Sequence, residues 1–345
     1  MRGQSEDHVR TPAVAHSSFT GSKTGMRRTD LIPFLLGSED RRTPGTVASG
    51  QSNGTETGQG GDSGKQASVT GLANNVCFLT SKTNFGRDNA KCDRLQSIHG
   101  RERKRMGAFH TKLVKRGDVA EGTMAFYFEK PPGFQFKPGQ YVDVILINPP
   151  EKDDEGIARS FSIASAPFEE DLMFATRMRD TAFKRVLKSM PLGTEVEIEG
   201  PYGSFVLHNN AVRPAVLLAG GIGITPFRSM VVQAAETRLP HRMVLMYCNR
   251  RPEDAAFLEE LLKLQSLNEK FPCIGLMTAP ERSHRHWEGE KGRLSVDMLM
   301  RHSKHLADPI YYVVGPPGMV DGVHTLLNEA GVNDDNIRSE EFGGY

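Results

Sequence analysis

The stretch Ala215-Val216-Leu217-Leu218-Ala219-Gly220-Gly221-Ile222-Gly223-Ile224-Thr225-Pro226 decides how this chain is read. Ala215 to Ala219 is a continuous apolar run, as a parallel strand buried on both faces requires. Glycines follow at once. From Pro226 to about Thr237, Phe227, Met230, Val231 and Ala234 recur on one face of a predicted helix. Thr225 suits the cap of that helix and Pro226 its first position. Strand, glycine turn and helix N-terminus together make an anion cradle. Backbone N–H groups point outward there, and the helix dipole favours phosphate.

Toward the C-terminus, strands are predicted at Met243 to Cys248, Cys273 to Thr278 and Ile310 to Val314, with a helix from Pro252 to Leu264. This βα series predicts a mostly parallel sheet with helices on both faces. Asn249-Arg250-Arg251 follows the second of its strands, where dinucleotide folds meet the adenosine ribose. An acid there favours NAD and an Arg accommodates the 2′-phosphate of NADP. No acid occurs before Glu253, which leans toward NADPH, although two solvent-facing arginines ahead of a helix fit nearly as well. Gly315-Pro316-Pro317-Gly318-Met319 follows the last strand, at the carboxyl end where open α/β folds bind ligands.

Toward the N-terminus the period changes. Short alternating runs at Thr111 to Val114, Thr123 to Glu129, Gln140 to Ile147, Arg159 to Ala164, Leu172 to Arg177 and Glu195 to Glu199 are broken by Pro and Gly. They predict an antiparallel all-β barrel or sandwich, interrupted by one helix at Thr181 to Ser189. On the strand Arg159-Ser160-Phe161-Ser162, Arg159 and Phe161 share a face. Such a face suits a ligand charged at one end and flat at the other, since an Arg fork grips phosphate and a ring covers a heterocycle. An ordinary barrel strand with a snorkelling Arg fits the same residues.

The chain has 345 residues, with 43 Lys+Arg against 42 Asp+Glu, 35 Gly and 20 Pro. These totals sum two unlike pieces. Residues 1–105 carry 16 Lys+Arg and 10 Asp+Glu, no Tyr and no Trp, and include the stretch TVASGQSNGTETGQGGDSGKQ at 46–66. Such composition offsets little ordering entropy, so a disordered basic tail is expected. Two readings of it stay open, a targeting or partner patch at Arg101 to Arg105 and an extension ahead of a true start at Met106. Two units of ordinary size then follow, a barrel at 106–209 and an α/β unit at 210–345.

The assembled pattern resembles the ferredoxin–NADP reductase family. It carries R-x-[YF]-S on a barrel strand, then G-G-x-G-x-T-P, then G-P-P-x-M, then an aromatic near the carboxyl end, all between about residues 107 and 345. The resemblance implies a FAD-binding barrel before an NAD(P)-binding α/β domain. Arg159 would hold the flavin pyrophosphate, with Ser160, Phe161 and Ser162 along the flavin and Ser162 near its N5. Thr181 stands in for a second flavin motif that is otherwise unclear. Gly203 and Ser204 would close a turn beside the flavin. Gly220, Gly221, Gly223, Thr225 and Pro226 would cradle NADPH or NADH, with Asn249 and Arg250 at its adenosine end and Gly315, Pro316 and Met319 on its far side. Glu341 and Phe342 match the acid and aromatic that end flavohaemoglobin-like members, and Tyr345 is a second candidate to cover the ring. Ser162, Thr225 and Glu341 form the implied catalytic set. Val314 stands where many members have Cys.

The expected function is a flavin-dependent oxidoreductase. Hydride would pass from NAD(P)H to bound FAD, and electrons then to a separate acceptor: ferredoxin, an oxygenase component, a haem protein or a small oxidant. A flavin or ferric reductase, and a flavin-binding electron-transfer or regulatory subunit, are the alternatives. Cys77, Cys92, Cys248 and Cys273 match no zinc or iron–sulfur spacing, and four cysteines in so long a chain are no disulfide scaffold. A reducing, cytoplasmic setting is therefore expected. His284 and His286 read better as a surface loop than as metal ligands, so no metal is expected. The acidic folded part argues against nucleic acid. No run approaches the roughly 18 apolar residues of a membrane span, so no stable membrane insertion is expected.

Overall fold

The computed structural model describes residues 107–268 and 270–343. The readings made for residues 1–105 and for Tyr345 lie outside the described residues.

Six strands form the first sheet. They are β1 (Ala108–Ala120), β2 (Thr123–Glu129), β3 (Tyr141–Leu146), β4 (Ala158–Ser162), β5 (Asp171–Arg177) and β6 (Glu195–Tyr202). All pair antiparallel, in the order β4-β3-β6-β1-β2-β5. Alternation decides the buried face: Val142, Val144 and Leu146 of β3 point inward with Phe126, Phe128, Phe174 and Ile198. The Ala164 N–H donates to the Met173 carbonyl at 2.8 Å, drawing the two edges together into a partial barrel. Helix α1 (Ala182–Ser189) closes one end with Phe183, Val186 and Leu187.

The second sheet is parallel throughout. Its strands are β7 (Ala215–Gly220), β8 (Met243–Asn249), β9 (Cys273–Met277), β10 (Glu290–Lys291), β11 (Ile310–Gly315) and β12 (Ile337–Glu341), in the order β10-β9-β8-β7-β11-β12. Helices α2 (Ile224–Glu236), α3 (Leu258–Leu267), α4 (Val296–Ser303) and α5 (Pro317–Glu329) cover it. Leu217, Leu245 and Tyr312 pack under α2 and α3, while Val216, Val244 and Val313 pack under α4 and α5. Strand order reverses between β7 and β11, which pair from Ile310↔Ala215 to Val314↔Ala219. That reversal opens a crevice at the strands' carboxyl ends.

Two predicted helices differ from those observed. The helix expected from Pro226 begins at Ile224, directly after a 3-10 turn at Gly221–Gly223. Thr225 is therefore inside the helix, and its buried hydroxyl donates to the Ile222 carbonyl at 3.1 Å instead of capping. The helix expected from Pro252 to Leu264 breaks into a 3-10 turn at Pro252–Asp254 and α3. Phe257 interrupts it in the left-handed region, at φ 60°.

One apolar cluster crosses from sheet to sheet. Ala125, Ala164, Met173, Ala175 and Phe205 of the first half pack with Phe227, Met230 and Leu261 of the second. The two halves thus share a core.

Candidate functional site

The switch point gathers the glycine motifs. A Cβ on Gly220 would lie 2.0 Å from Met319 Sδ, and one on Gly315 would lie 2.8 Å from the same sulfur. Pro316 adjoins Gly220, and the Phe342 N–H donates to the Gly315 carbonyl at 2.9 Å. Gly220, Gly315, Pro316, Met319 and Phe342 therefore meet. Gly223 packs against β11, since a Cβ there would sit 2.4 Å from the Val314 carbonyl oxygen. Gly221, at φ 54°, is the open position: its nearest neighbours in the Cβ direction are Arg177 nitrogens at 3.5 and 3.7 Å.

Sequence reasoning passed over Arg177. It ends β5 of the barrel yet reaches across to the glycine turn, and its guanidinium donates to the Asp254 carbonyl at 3.3 Å. Beside it, Gly220 pairs with Cys248, so Asn249 lies at the next strand end. The Asn249 amide and the Tyr247 hydroxyl adjoin, but both are buried without a hydrogen bond of ordinary geometry. Orphaned polar groups of this kind are costly unless a ligand completes them. Open glycine turn, helix N-terminus, barrel guanidinium and orphaned amide together fit a dinucleotide.

Arg250 is exposed, whereas Arg251 is tied to Asp254 (2.8 Å) and Glu121 (3.1 Å). Glu253, the first acid after β8, is committed elsewhere. One of its oxygens accepts from the Ser283 hydroxyl (2.6 Å) and from the His284 and Arg285 N–H groups (3.0 and 3.1 Å). Burial works against its charge, but these donors prevail and hold the carboxyl at about 2. The loop so held lines a surface cavity with Ser283, His284, Arg285, His286, Trp287 and Lys291. Among the described residues no group of three metal-ligating side chains forms.

A second seat lies on the barrel. The Arg159 guanidinium stands over the Phe183 ring at 5.3 Å, and Phe161 meets the same ring at 5.9 Å. Thr181 caps α1, its hydroxyl accepting from the Lys184 N–H at 3.4 Å. Arg159 pairs with Asp153 and Glu155, each at 2.9 Å. Guanidinium and helix N-terminus form a donor set suited to a flavin phosphate. Ser160 donates to Asp143 at 2.5 Å. Ser162 is buried and pairs with Tyr141, which pairs in turn with Tyr202, so the exposed turn at Gly203 and Ser204 lies two strands away.

The strand that carries Phe161 and Ser162 runs straight into the junction. Arg228 of α2, itself buried, donates to the Ala164 carbonyl at 2.8 Å, and the Ser229 hydroxyl donates to the Ser165 carbonyl at 2.7 Å. Glu169 and Glu260 flank Arg228 at 2.9 and 2.7 Å. The same helix begins at the glycine turn.

On β12 the alternation separates the two acids. Arg338, Glu340 and Phe342 share one side, and Glu341 lies on the other, exposed. That side faces the junction: Arg338 donates to the Val206 carbonyl and Tyr312 hydroxyl, each at 3.1 Å, and Phe342 packs on the shared core. Burial pushes the Glu340 carboxyl up to about 7. Glu340, not the expected Glu341, is the acid placed with Phe342. The Thr225 hydroxyl donates within its own turn, to the Ile222 carbonyl.

Residues 217–325 match the oxidoreductase NAD-binding domain. The propane 2-monooxygenase reductase component of Mycolicibacterium smegmatis is 30% identical over 223 residues, 62% of this chain and 61% of that protein. This chain thus spans about three-fifths of the length of that relative. Among solved structures, an Amycolatopsis cytochrome P450 reductase superposes with a TM-score of 0.58 at 19% identity, covering 69% of this chain and 71% of that one. A ferredoxin NADP+ reductase from Neisseria gonorrhoeae, with bound FAD and NADP, superposes with a TM-score of 0.56 at 20% identity, covering 68% of this chain and 98% of that one.

Proposed function

We propose that this chain, ferredoxin–NADP reductase-like in its two-sheet fold and its NAD-binding module, is an NAD(P)H-oxidising flavoprotein reductase that delivers electrons to a separate acceptor. An oxygenase component is the partner this reading favours, by likeness to the monooxygenase reductase component. The flavin half is taken as 106–209 and the dinucleotide half as 210–345. The observation that carries the reading is the junction. The segment that leaves β4 is fastened to α2 through Arg228 and Ser229, and the glycine turn runs directly into the same helix, so the two candidate ligand seats share one element.

FAD, when bound, supplies a hydride acceptor that can pass electrons on one at a time. The chain supplies position and electrostatics. Arg159 and the N-terminus of α1 bind phosphate on the barrel. Gly221, the N-terminus of α2 and Arg177 bind the dinucleotide phosphates from both halves, and the shared core keeps the seats in register. Glu340, with its carboxyl near 7, can hold or release a proton at the junction around neutral pH. Phe342 excludes water beside Gly315.

The coenzyme is read as NADPH in preference to NADH. Glu253 is spent on its own loop and Arg250 is exposed at the strand end where a 2′-phosphate would lie. The compartment is read as cytoplasmic, consistent with free thiols at Cys248 and Cys273; among the described residues no helix is long and apolar enough to cross a membrane.

Anaerobic titration of the flavin-loaded chain tests the reading. Bleaching of the flavin by NADPH at lower concentration than by NADH is the expected result. Failure of both to bleach it would remove the reductase assignment.

A further inference from the structure

The phosphate seat on the barrel is held by an anion of the chain itself. Asp153 lies on the acidic strap between β3 and β4, residues 148–157. One of its carboxylate oxygens takes the Arg159 guanidinium at 2.9 Å, and the other accepts from the Ala182 N–H, in the first turn of α1, at 3.2 Å. Glu155 adds a second carboxylate to the same Arg159 nitrogen at 2.9 Å. The other terminal nitrogen of Arg159 donates to the Glu155, Gly156 and Ala158 carbonyls at 3.0, 3.2 and 2.8 Å. A carboxylate bridging a guanidinium and a helix N-terminal amide uses the donors that a phosphate oxygen would use. The strap itself is a short turn, closed by the Gly156 N–H on the Asp153 carbonyl at 3.0 Å.

We propose that Asp153 is an internal competitor for the flavin phosphate and so determines flavin affinity in this protein. The inference rests on the flavin reading given above. Phosphate and Asp153 cannot both take the Arg159 fork and the Ala182 amide. Flavin therefore binds only after the strap releases them, and its apparent affinity falls by the fraction of molecules with the strap open. Competition acts on the phosphate alone, so it discriminates among flavins: FAD and FMN meet it, and riboflavin does not. Lys184 and Arg159 are neighbouring cations here. Withdrawing the carboxylate leaves that positive charge to the ligand.

The test is equilibrium titration of the full-length apoprotein with FAD, FMN and riboflavin, followed by flavin fluorescence, for the wild type, Asp153→Asn, Asp153→Ala and Arg159→Ala. The Asn variant keeps an acceptor for the Ala182 amide, which protects the fold of the α1 N-terminus. Far-UV circular dichroism of each variant checks that fold. The expected result is FAD and FMN binding about three- to tenfold tighter in Asp153→Asn, as a partly exposed charge-assisted pair allows. Riboflavin affinity is expected to stay unchanged, and Arg159→Ala to weaken FAD and FMN. Unchanged or weaker FAD binding in both folded Asp153 variants would overturn the competitor role and leave the flavin site standing. An equal tightening for riboflavin would also overturn it. Failure of every variant to bind any flavin would overturn it together with the flavin reading.

Discussion

Arg177 and Glu340 carry charge at the junction, and Arg159 carries it at the barrel seat. Arg177 lies across the gap from Gly221, so it belongs to the barrel in sequence and to the dinucleotide seat in space. Its replacement by Ala is expected to raise the KM for NADPH about tenfold or more, the scale of one charge-assisted phosphate contact; steady-state kinetics with FAD saturating would check this. Glu340 gives a pH signature. Its folded-state carboxyl, near 7, lies above the ordinary range, so the native state binds more protons than the unfolded state between about pH 4.5 and 7. Stability contributed by this group therefore falls as pH rises through that window. Glu340→Gln removes the penalty, so thermal unfolding should show the variant gaining on the wild type at pH 8 and not at pH 5. Equal shifts at both pH values would contradict the burial of this carboxyl. Arg177 and Glu340 were the hardest of these to read from sequence. Arg159 and the glycines announce themselves through spacing, but Arg177 and Asp153 act through neighbours distant in the chain. Choosing Glu340 over Glu341 requires knowing which side of β12 meets the barrel.

At the scale of elements, α2 does most to join the halves. Its buried Arg228 is held between Glu169 of the barrel and Glu260 of α3, with the Phe257 ring 5.2 Å away. Removing the cation strands two largely buried carboxylates. Arg228→Ala should cost about 3–5 kcal/mol in denaturant unfolding; a loss well below 1 kcal/mol would show the clamp to be slack. Gly223→Ala drives a Cβ to 2.4 Å from the Val314 carbonyl, so the glycine turn and β11 must part. A cost of about 1–3 kcal/mol is expected, read as a lower denaturation midpoint at unchanged m. The strands themselves were legible: the alternating run Thr123 to Glu129 is β2, and the apolar run from Ala215 is β7. The helix expected from Pro252 was not, because Asp254 draws its carboxylate back to the Arg251 N–H (3.2 Å) and Phe257 turns left-handed to meet Arg228. Such tertiary demands leave no trace in helical periodicity.

The two described halves behave as one unit, since a single apolar cluster spans both sheets. Trp287, the chain's one Trp, sits in the parallel half against Gly275 and Gly289. Its fluorescence should report unfolding at the same denaturant concentration as far-UV circular dichroism, which senses both halves. The order barrel, then α/β unit, was readable from the change of period near Asn209; the fusion of their cores was not, because it joins residues such as Ala164 and Met230 that look like ordinary core positions. That fusion matters to function because hydride transfer needs two ligands held in fixed register. The most direct measurement is therefore anaerobic rapid mixing of the FAD-loaded chain with NADPH, unlabelled or deuterated at the nicotinamide C4. The flavin is expected to bleach in a first-order phase that deuterium slows severalfold. Flavin that stays oxidised with NADPH and NADH alike would contradict the reductase function.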